Sequence, residues 1–498
     1  MTPPIPDPFI GPRTGPRVVA PHDFRYTRTM AHTTKDTERR PNVLFLIMDD
    51  QRFDTIHALG NPDIKTPNLD YLCRRGVAFT NSYIMGGTSG AICMPSRVVY
   101  HTGRTLFRIE GAGQRIPPEH TTIGEHLGAH GYATFGTGKW HSDCDSFARS
   151  FATGANIFFG GMDDHWNMPV CDYPLDGVFP APKPHPWDGG TGEKTIHEKR
   201  FDRVAKGAHA TELFARSAIE FIQSHTGDNP FFAYAAFTAP HDPRTMPNEF
   251  LTMYDPDSLT LADNVMPDHP FDNGDMDVRD ENIVPHPYTP ARVRRETADY
   301  YAMISHYDHW LGKIIDALKV AGELENTIIV HTADHGLGLG RHGLMGKQNS
   351  YDHSVHVPLI LSGPGLPEGE IRDTLVSSPD LFPTLCELIG LEPPATVEGR
   401  SYAAAIPDPG VRHREHVLTA YLGLQRSVRD ERFKLIEYVV DGVRTTQLFD
   451  MHTDPDETVN LADDGQFATV RGELSEKLRE WRDVYGDTAD EFWSTVAT

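Results

Sequence analysis

An α/β fold, with a large mixed, mostly parallel sheet sandwiched by helices and a smaller C-terminal α+β subdomain, follows from three features of this sequence. Short apolar runs alternate with helical periodicities along most of the chain. The runs Asn42 to Met48 (NVLFLIM), Pro230 to Phe237 (PFFAYAAF) and Thr327 to Thr332 (TIIVHT) are nearly continuous in apolar character, as strands buried on both faces are. Polar chemistry then follows each run at once: Asp49-Asp50, Pro240-His241-Asp242 and Asp334-His335. A site along the C-terminal edge of a parallel sheet is the expectation.

Taken in order, the first forty residues hold seven prolines from Pro3 to Pro21 and six arginines but no apolar core, which predicts a disordered leader over 1–40 and a cytoplasmic protein. Met30 is a second candidate start. Thr66-Pro67 opens a helix that Gly76 ends. Val77 to Ile84 reads as a strand, Pro95 to Tyr100 as the opening of a helix, and Thr122 to His130 as a helix. A strand from Tyr132 to Phe135 leads into Gly136-Thr137-Gly138-Lys139-Trp140-His141. Residues 160–200, rich in Gly, Pro, Asp and Trp, predict an irregular insertion beside the site.

Ala208 to Ser224 is helical in period, Arg244 to Thr289 irregular, and Ala291 to Val320 one long helix. Val357 to Ser362 is a strand and Pro379 to Ile389 a helix. These elements make a catalytic domain over 41–405. Over 406–498 the pattern changes: Leu424 to Arg429, Arg432 to Val440 and Thr445 to Leu448 predict antiparallel strands, and Arg471 to Tyr485 a closing helix.

Composition excludes several classes. Hydrophobic residues are 39% and charged residues 23% of 498, an ordinary globular balance. Clean apolar runs such as Val43 to Met48 are far too short to span a membrane. Lys and Arg total 46 against 70 Asp and Glu, so a formal charge of −24 argues against non-specific nucleic-acid binding. The five cysteines (Cys73, Cys93, Cys144, Cys171, Cys386) form no CxxC pair, which argues against a thiolate zinc site.

Asp49, Asp50, Asp334 and His335 sit where buried strands end. Carboxylates there need a positive partner, and a divalent cation with oxygen and imidazole ligands would supply it. Solvated turn aspartates fit either pair alone equally well. Gly338, Gly340 and Gly343 spell a G-x-G-x-x-G after a strand, but the next strand ends in Ser362-Gly363-Pro364. The acidic partner of a dinucleotide site is missing.

Cys93-Met94-Pro95-Ser96-Arg97, followed by Thr102-Gly103-Arg104, spells C-x-P-S-R-x-x-x-x-T-G-R. It resembles the motif read by formylglycine-generating enzymes, and the chain resembles the type I sulfatases of the alkaline-phosphatase superfamily. The family's other motifs match in chain order: Asp49-Asp50, Gly138 to His141, Pro240-His241, Asp334-His335, and Lys347 within His342 to Lys347. The tail adds Gln447 to Asp450, Asp454 to Glu457 and Asn460-Leu461. The resemblance spans about Pro41 to Asp464.

The resemblance implies a sulfuric ester hydrolase in which Cys93 is converted to formylglycine by a formylglycine-generating enzyme. The hydrated aldehyde is a gem-diol. One hydroxyl attacks sulfur to give a sulfo-enzyme hemiacetal, and the other expels sulfate and restores the aldehyde. It further implies one divalent cation on Asp49, Asp50, position 93, Asp334 and His335. Calcium comes first because most ligands are hard oxygens, with Mn²⁺ or Mg²⁺ as alternatives. Arg97 and Lys139 would fix and acidify the diol, and His141 would be the base. His241 and Lys347 would hold the sulfate oxygens and protonate the leaving alcohol.

Having His335 where many arylsulfatases have Asn resembles the branch of choline sulfatases and phosphonate monoester hydrolases. A phosphonate monoester or phosphodiester substrate is therefore the alternative. Asp242, Arg244 and His342 are the candidate substrate-binding residues, with Trp166, His165 and Trp187 in segments that border the pocket. A sulfated carbohydrate or small alcohol is the expected substrate, and self-association into a homo-oligomer stays open.

Overall fold

The computed structural model describes residues 39–187 and 195–496; the expected leader over 1–40 falls almost wholly outside them. Eight strands form the main sheet, in the order Glu370–Arg372, Gly76–Phe79, Leu359–Ser362, Thr327–Ala333, Asn42–Met48, Phe231–Ala236, Ala133–Lys139 and Thr153–Phe158. Only Leu359–Ser362 runs against its neighbours; every other pair is parallel. All residues of the three central strands are buried, so both faces are covered, as the apolar runs require.

The helix Ala210–Ser224 packs on the 32-residue helix Pro290–Ala321, which also touches Pro67–Arg75. Cys93–Thr102 packs with Leu381–Leu388 and Ile123–Ala129. Thr122 and Glu125 close a reciprocal capping box at the start of Ile123–Ala129, which fixes that boundary. No helix among the described residues is long and apolar enough to cross a membrane.

Strand register positions the site. Met48 pairs with Ala333, and Ile47 pairs with Ala236. The next residues along these strands, Asp49, Asp334 and Phe237, therefore emerge side by side at one edge. Gly138 pairs with Ala236, which brings Lys139 to the same edge.

Several elements differ from expectation. Val77 to Ile84 is two strands: Gly76–Phe79 stays in the main sheet, while Ser82–Tyr83 pairs with Val376–Ser377. The strand expected to stop at Phe135 runs on to Lys139. Its glycines are needed by the close approach of the next strand: a Cβ on Gly138 would lie 1.8 Å from the Ala236 carbonyl oxygen, and φ there is +82°. Gly138→Ala should therefore destabilise the fold by about 3 kcal/mol or more, read by denaturant titration, because a backbone carbonyl cannot step aside.

The stretch 160–200 is not wholly irregular. Asn167–Val170 pairs with Arg203–Lys206, and Lys183–Trp187 pairs with Thr195–Lys199. The side chain of Trp187 lies outside the described residues. At the C-terminal end a five-stranded sheet combines Val417–Tyr421, Gln425–Arg429, Phe433–Val440 and Val443–Asp450 with Gly86–Gly87. Ala468–Tyr485 and Asp490–Val496 cover it. Residues 40–498 form one contact unit.

Candidate active site

Three strand ends are tied together by the backbone. Asp49 N–H donates to the Ala239 carbonyl (3.2 Å), and Asp334 N–H donates to the Met48 carbonyl (3.0 Å). Asp50 takes a left-handed conformation (φ 67°), and its carbonyl accepts from the Tyr300 hydroxyl at 2.6 Å. Its N–H reaches Asp334 Oδ1 at 3.3 Å. The strained turn carries two successive carboxylates into a dry space, both at most 1% exposed.

Cys93 is the first residue of the wholly buried helix Cys93–Thr102. Two residues lock this helix to the strand ends. Ser96 Oγ donates to the Asp334 carbonyl at 2.6 Å, and Arg97 Nε to Asp334 Oδ2 at 2.8 Å. Arg97 Nη1 also donates to the Lys139 carbonyl (3.0 Å) and to the Tyr234 hydroxyl (3.2 Å). Lys139 ends its strand with its ammonium on Asp49 Oδ2. His141, at φ 61°, sets Nδ1 3.2 Å from Cys93 Sγ.

The electrostatics follow from burial and these partners. Burial opposes ionisation of Cys93, but Lys139 and His141 outweigh it and hold the thiol well below its ordinary range. Burial likewise opposes ionisation of Asp49, and Lys139, His241, Arg97 and Lys347 overcome it. Burial and the charge of Asp49 push Asp334 up to about 6. His241 is pushed up to about 9: burial resists its charge, and Asp50, Asp242 and Asp49 together outweigh it. Lys347 Nζ donates to Asp50 Oδ1 at 2.8 Å; burial disfavours its charge, and Asp50 and Asp280 raise it well above the usual lysine range. His241 and Lys347 are both cations at neutral pH, suited to an oxyanion.

Ligand atoms of Asp49, Cys93, Asp334 and His335 all lie within 4.8 Å of one another, as do those of Asp49, Asp50 and His241. Two buried atoms in the first group have no hydrogen-bond partner, Asp49 Oδ1 and His335 Nε2. His335 Nδ1–H donates to the Gly336 carbonyl at 3.0 Å, so the lone pair is on Nε2. That nitrogen is 3.5 Å from Asp49 Oδ1 and 3.5 Å from Asp334 Oδ1. The His335 Nε2 atom, the unpaired Asp49 Oδ1 and Asp334 Oδ1 converging on one buried point fit a divalent cation.

A cavity of about 320 Å³ opens over this cluster, lined in part by Cys93, His141, His241 and Lys347. The candidate substrate residues fare differently. Asp242 sits behind the cavity wall, its carboxylate on His241 Nδ1 (3.2 Å) and on Arg279. Arg244 is held by Glu296 of the long helix at 2.5 Å and is not among the lining residues. His342 stacks on Tyr351 with ring centroids 3.8 Å apart; burial pushes it down to about 3, so it is neutral and packs the interior. His165 does adjoin the site: its Nε2–H donates to the His241 carbonyl at 3.0 Å. Sequence reasoning missed Val278, Arg279, Asp280 and Gln348, which complete the wall. They come mostly from the irregular stretch before Thr289, where no periodicity or motif marks them.

Carboxylates and an imidazole at parallel strand ends, a cysteine at a helix start and a ring of cationic side chains define a hydrolase of oxyanion esters. The chain belongs to the sulfatase family, whose model matches residues 41–391. A second model, N-sulphoglucosamine sulphohydrolase C-terminal, matches residues 340–484. Human iduronate 2-sulfatase is 30% identical over 424 residues, 74% of this chain and 72% of that protein. A solved structure of a protein in complex with its substrate D-glucosamine-2-N,6-O-disulfate has a TM-score of 0.71 at 21% identity, covering 91% of this chain and 99% of that one. The phosphonate monoester hydrolase of Agrobacterium radiobacter has a TM-score of 0.70 at 23% identity, covering 90% and 96%. The fold is alkaline-phosphatase-like, and the protein is a sulfuric ester hydrolase.

Proposed function

We propose that this enzyme cleaves the sulfate ester of a carbohydrate, with formylglycine made from Cys93 and one calcium ion in its site. The carrying observation is the placement of Cys93, buried at 3% exposure at a helix start, beside His141 and within ligand distance of Asp49, Asp334 and His335. The site residues of human iduronate 2-sulfatase and of the glucosamine-disulfate complex belong to those proteins; their substrates support the carbohydrate class for this one.

Asp49, Asp50, Asp334 and His335 would hold the cation, which supplies Lewis-acid activation of an oxygen at position 93. Converted to the hydrated aldehyde, position 93 offers one hydroxyl to attack sulfur and a second to expel sulfate. Lys139 and Arg97 keep that position in a positive field, and the helix start adds to it. His141 stands 3.2 Å away to take a proton. The cationic His241 and Lys347 grip the sulfate oxygens and offer the proton that the leaving alcohol needs. A formylglycine-generating enzyme is the maturation partner this reading requires.

His335 supports a second reading, a phosphonate monoester hydrolase, since an ester of either acid presents one tetrahedral anion to the same cations. Protein co-expressed with the maturase should lose about 18 Da at Cys93 by intact mass. It should hydrolyse sulfated monosaccharides faster than an aryl phosphonate monoester, and a calcium chelator should stop both. The reverse ranking would select the second reading.

A further inference from the structure

We propose that Arg279 and Asp280 form the subsite for the leaving alcohol, and that it takes an uncharged or cationic sugar ring in preference to a uronate. The inference rests on the carbohydrate reading above and narrows it.

Val278, Arg279 and Asp280 line the same cavity of about 320 Å³ as Cys93, His141, His241 and Lys347. That volume is at the small end of ligand pockets, which run from about 300 to 1,000 Å³, so it suits one ring rather than a chain. His241 and Lys347 are committed to the sulfate. Beyond them, Arg279 and Asp280 are the charged groups on the cavity wall among the described residues.

Arg279 is already claimed by two carboxylates. Its Nη1 donates to Asp280 Oδ1 at 2.8 Å, and its Nη2 grips Asp242. Asp242 is shared between Arg279 and His241, which leaves Asp280 as the carboxylate on the cavity wall. Asp280 is fixed rather than adaptable: its other oxygen accepts from Gln348 Nε2 at 2.8 Å and lies 3.9 Å from Lys347 Nζ. Its side chain is only 10% exposed. A uronate carboxylate entering here would face the fixed carboxylate of Asp280, and the adjoining Arg279 is already paired with Asp280 and Asp242.

A hydroxylated ring meets the opposite situation. A carboxylate and a guanidinium held side by side present an acceptor next to a donor, the pattern that adjacent hydroxyls satisfy. Val278 and Met162 supply apolar wall for the ring's C–H face. An ammonium group on the ring would be drawn to the carboxylate of Asp280.

The test uses matched probes that differ only at C6: glucose 2- and 3-sulfates against glucuronate 2- and 3-sulfates. Each is assayed with wild-type enzyme and with Asp280→Asn. Wild type should favour glucose at least about tenfold in kcat/KM, and the variant should narrow that ratio to about threefold or less. The ratio is internal to each protein, so partial damage cancels. Should the variant not fold, competition of free glucose and glucuronate against 4-nitrophenyl sulfate turnover by wild type decides instead, with glucose expected to inhibit more strongly. A wild-type preference for glucuronate, or a ratio untouched by Asp280→Asn, overturns the subsite and leaves the carbohydrate reading standing. Turnover of 4-nitrophenyl sulfate with no sugar sulfate cleaved would overturn both.

Discussion

Cys93→Ala should cost at least about 10⁴-fold in kcat while leaving the fold intact. The side chain is small and buried, and the alanine leaves little void. Cys93→Ser separates attack from release. A serine hydroxyl could be sulfated, but it has no second hydroxyl with which to expel the group. One equivalent of alcohol should appear, turnover should stop, and the intact mass should rise by about 80 Da. Alanine-substituted enzyme as active as wild type would sink the assignment of position 93.

The largest stability effect is expected outside the cavity wall, at Asp380. This carboxylate is fully buried and is gripped by both arms of Arg414. It also accepts from His413 Nε2 (3.1 Å) and from the N–H groups of Ser377 (3.1 Å) and Arg400 (2.9 Å). Asp380→Ala strands a buried guanidinium and frees three segments at once. A loss of about 3–5 kcal/mol is expected in denaturant titration.

The pH dependence has a definite sign. Burial resists the charge on Asp380, and Arg414 overcomes it, so the folded carboxyl lies far below the ordinary value of about 3.9. A depressed carboxyl stabilises fully above the unfolded value, and the contribution is lost as pH falls through that value toward the folded one. Wild type should lose stability between about pH 5 and pH 2 more steeply than Asp380→Asn. Equal slopes would remove Asp380 from the account.

The sheet and its edge were legible in sequence because a strand buried on both faces leaves a long apolar signature that ends abruptly. Asn42–Met48, Phe231–Ala236 and Thr327–Ala333 each declared themselves so. The motif around Cys93 was legible through its resemblance to a known family's motif, and the structure sets Ser96 and Arg97 of that helix on the strand end at Asp334. Arg279 and Asp280 left no trace, since their proximity to Lys347 arises only when an irregular stretch folds back. Arg244 and His342 misled for the opposite reason. A residue near a motif in the chain can turn inward, and here one meets Glu296 and the other Tyr351. Gly136 and Gly138 lie beyond the expected strand end, yet they keep the strand going where Phe147 and Phe151 crowd the first and the Ala236 carbonyl crowds the second.

Gly86 and Gly87 belong to the stretch that leads into Cys93, yet they form the edge of the sheet built from residues 417–450. The order of biosynthesis gives that join a meaning. At roughly 5–20 residues per second, Val417–Tyr421 leaves the ribosome tens of seconds after Cys93. Until then the edge at Gly86 has no mate, so the segment that leads into Cys93 reaches its final pairing only after Val417–Tyr421 has been made.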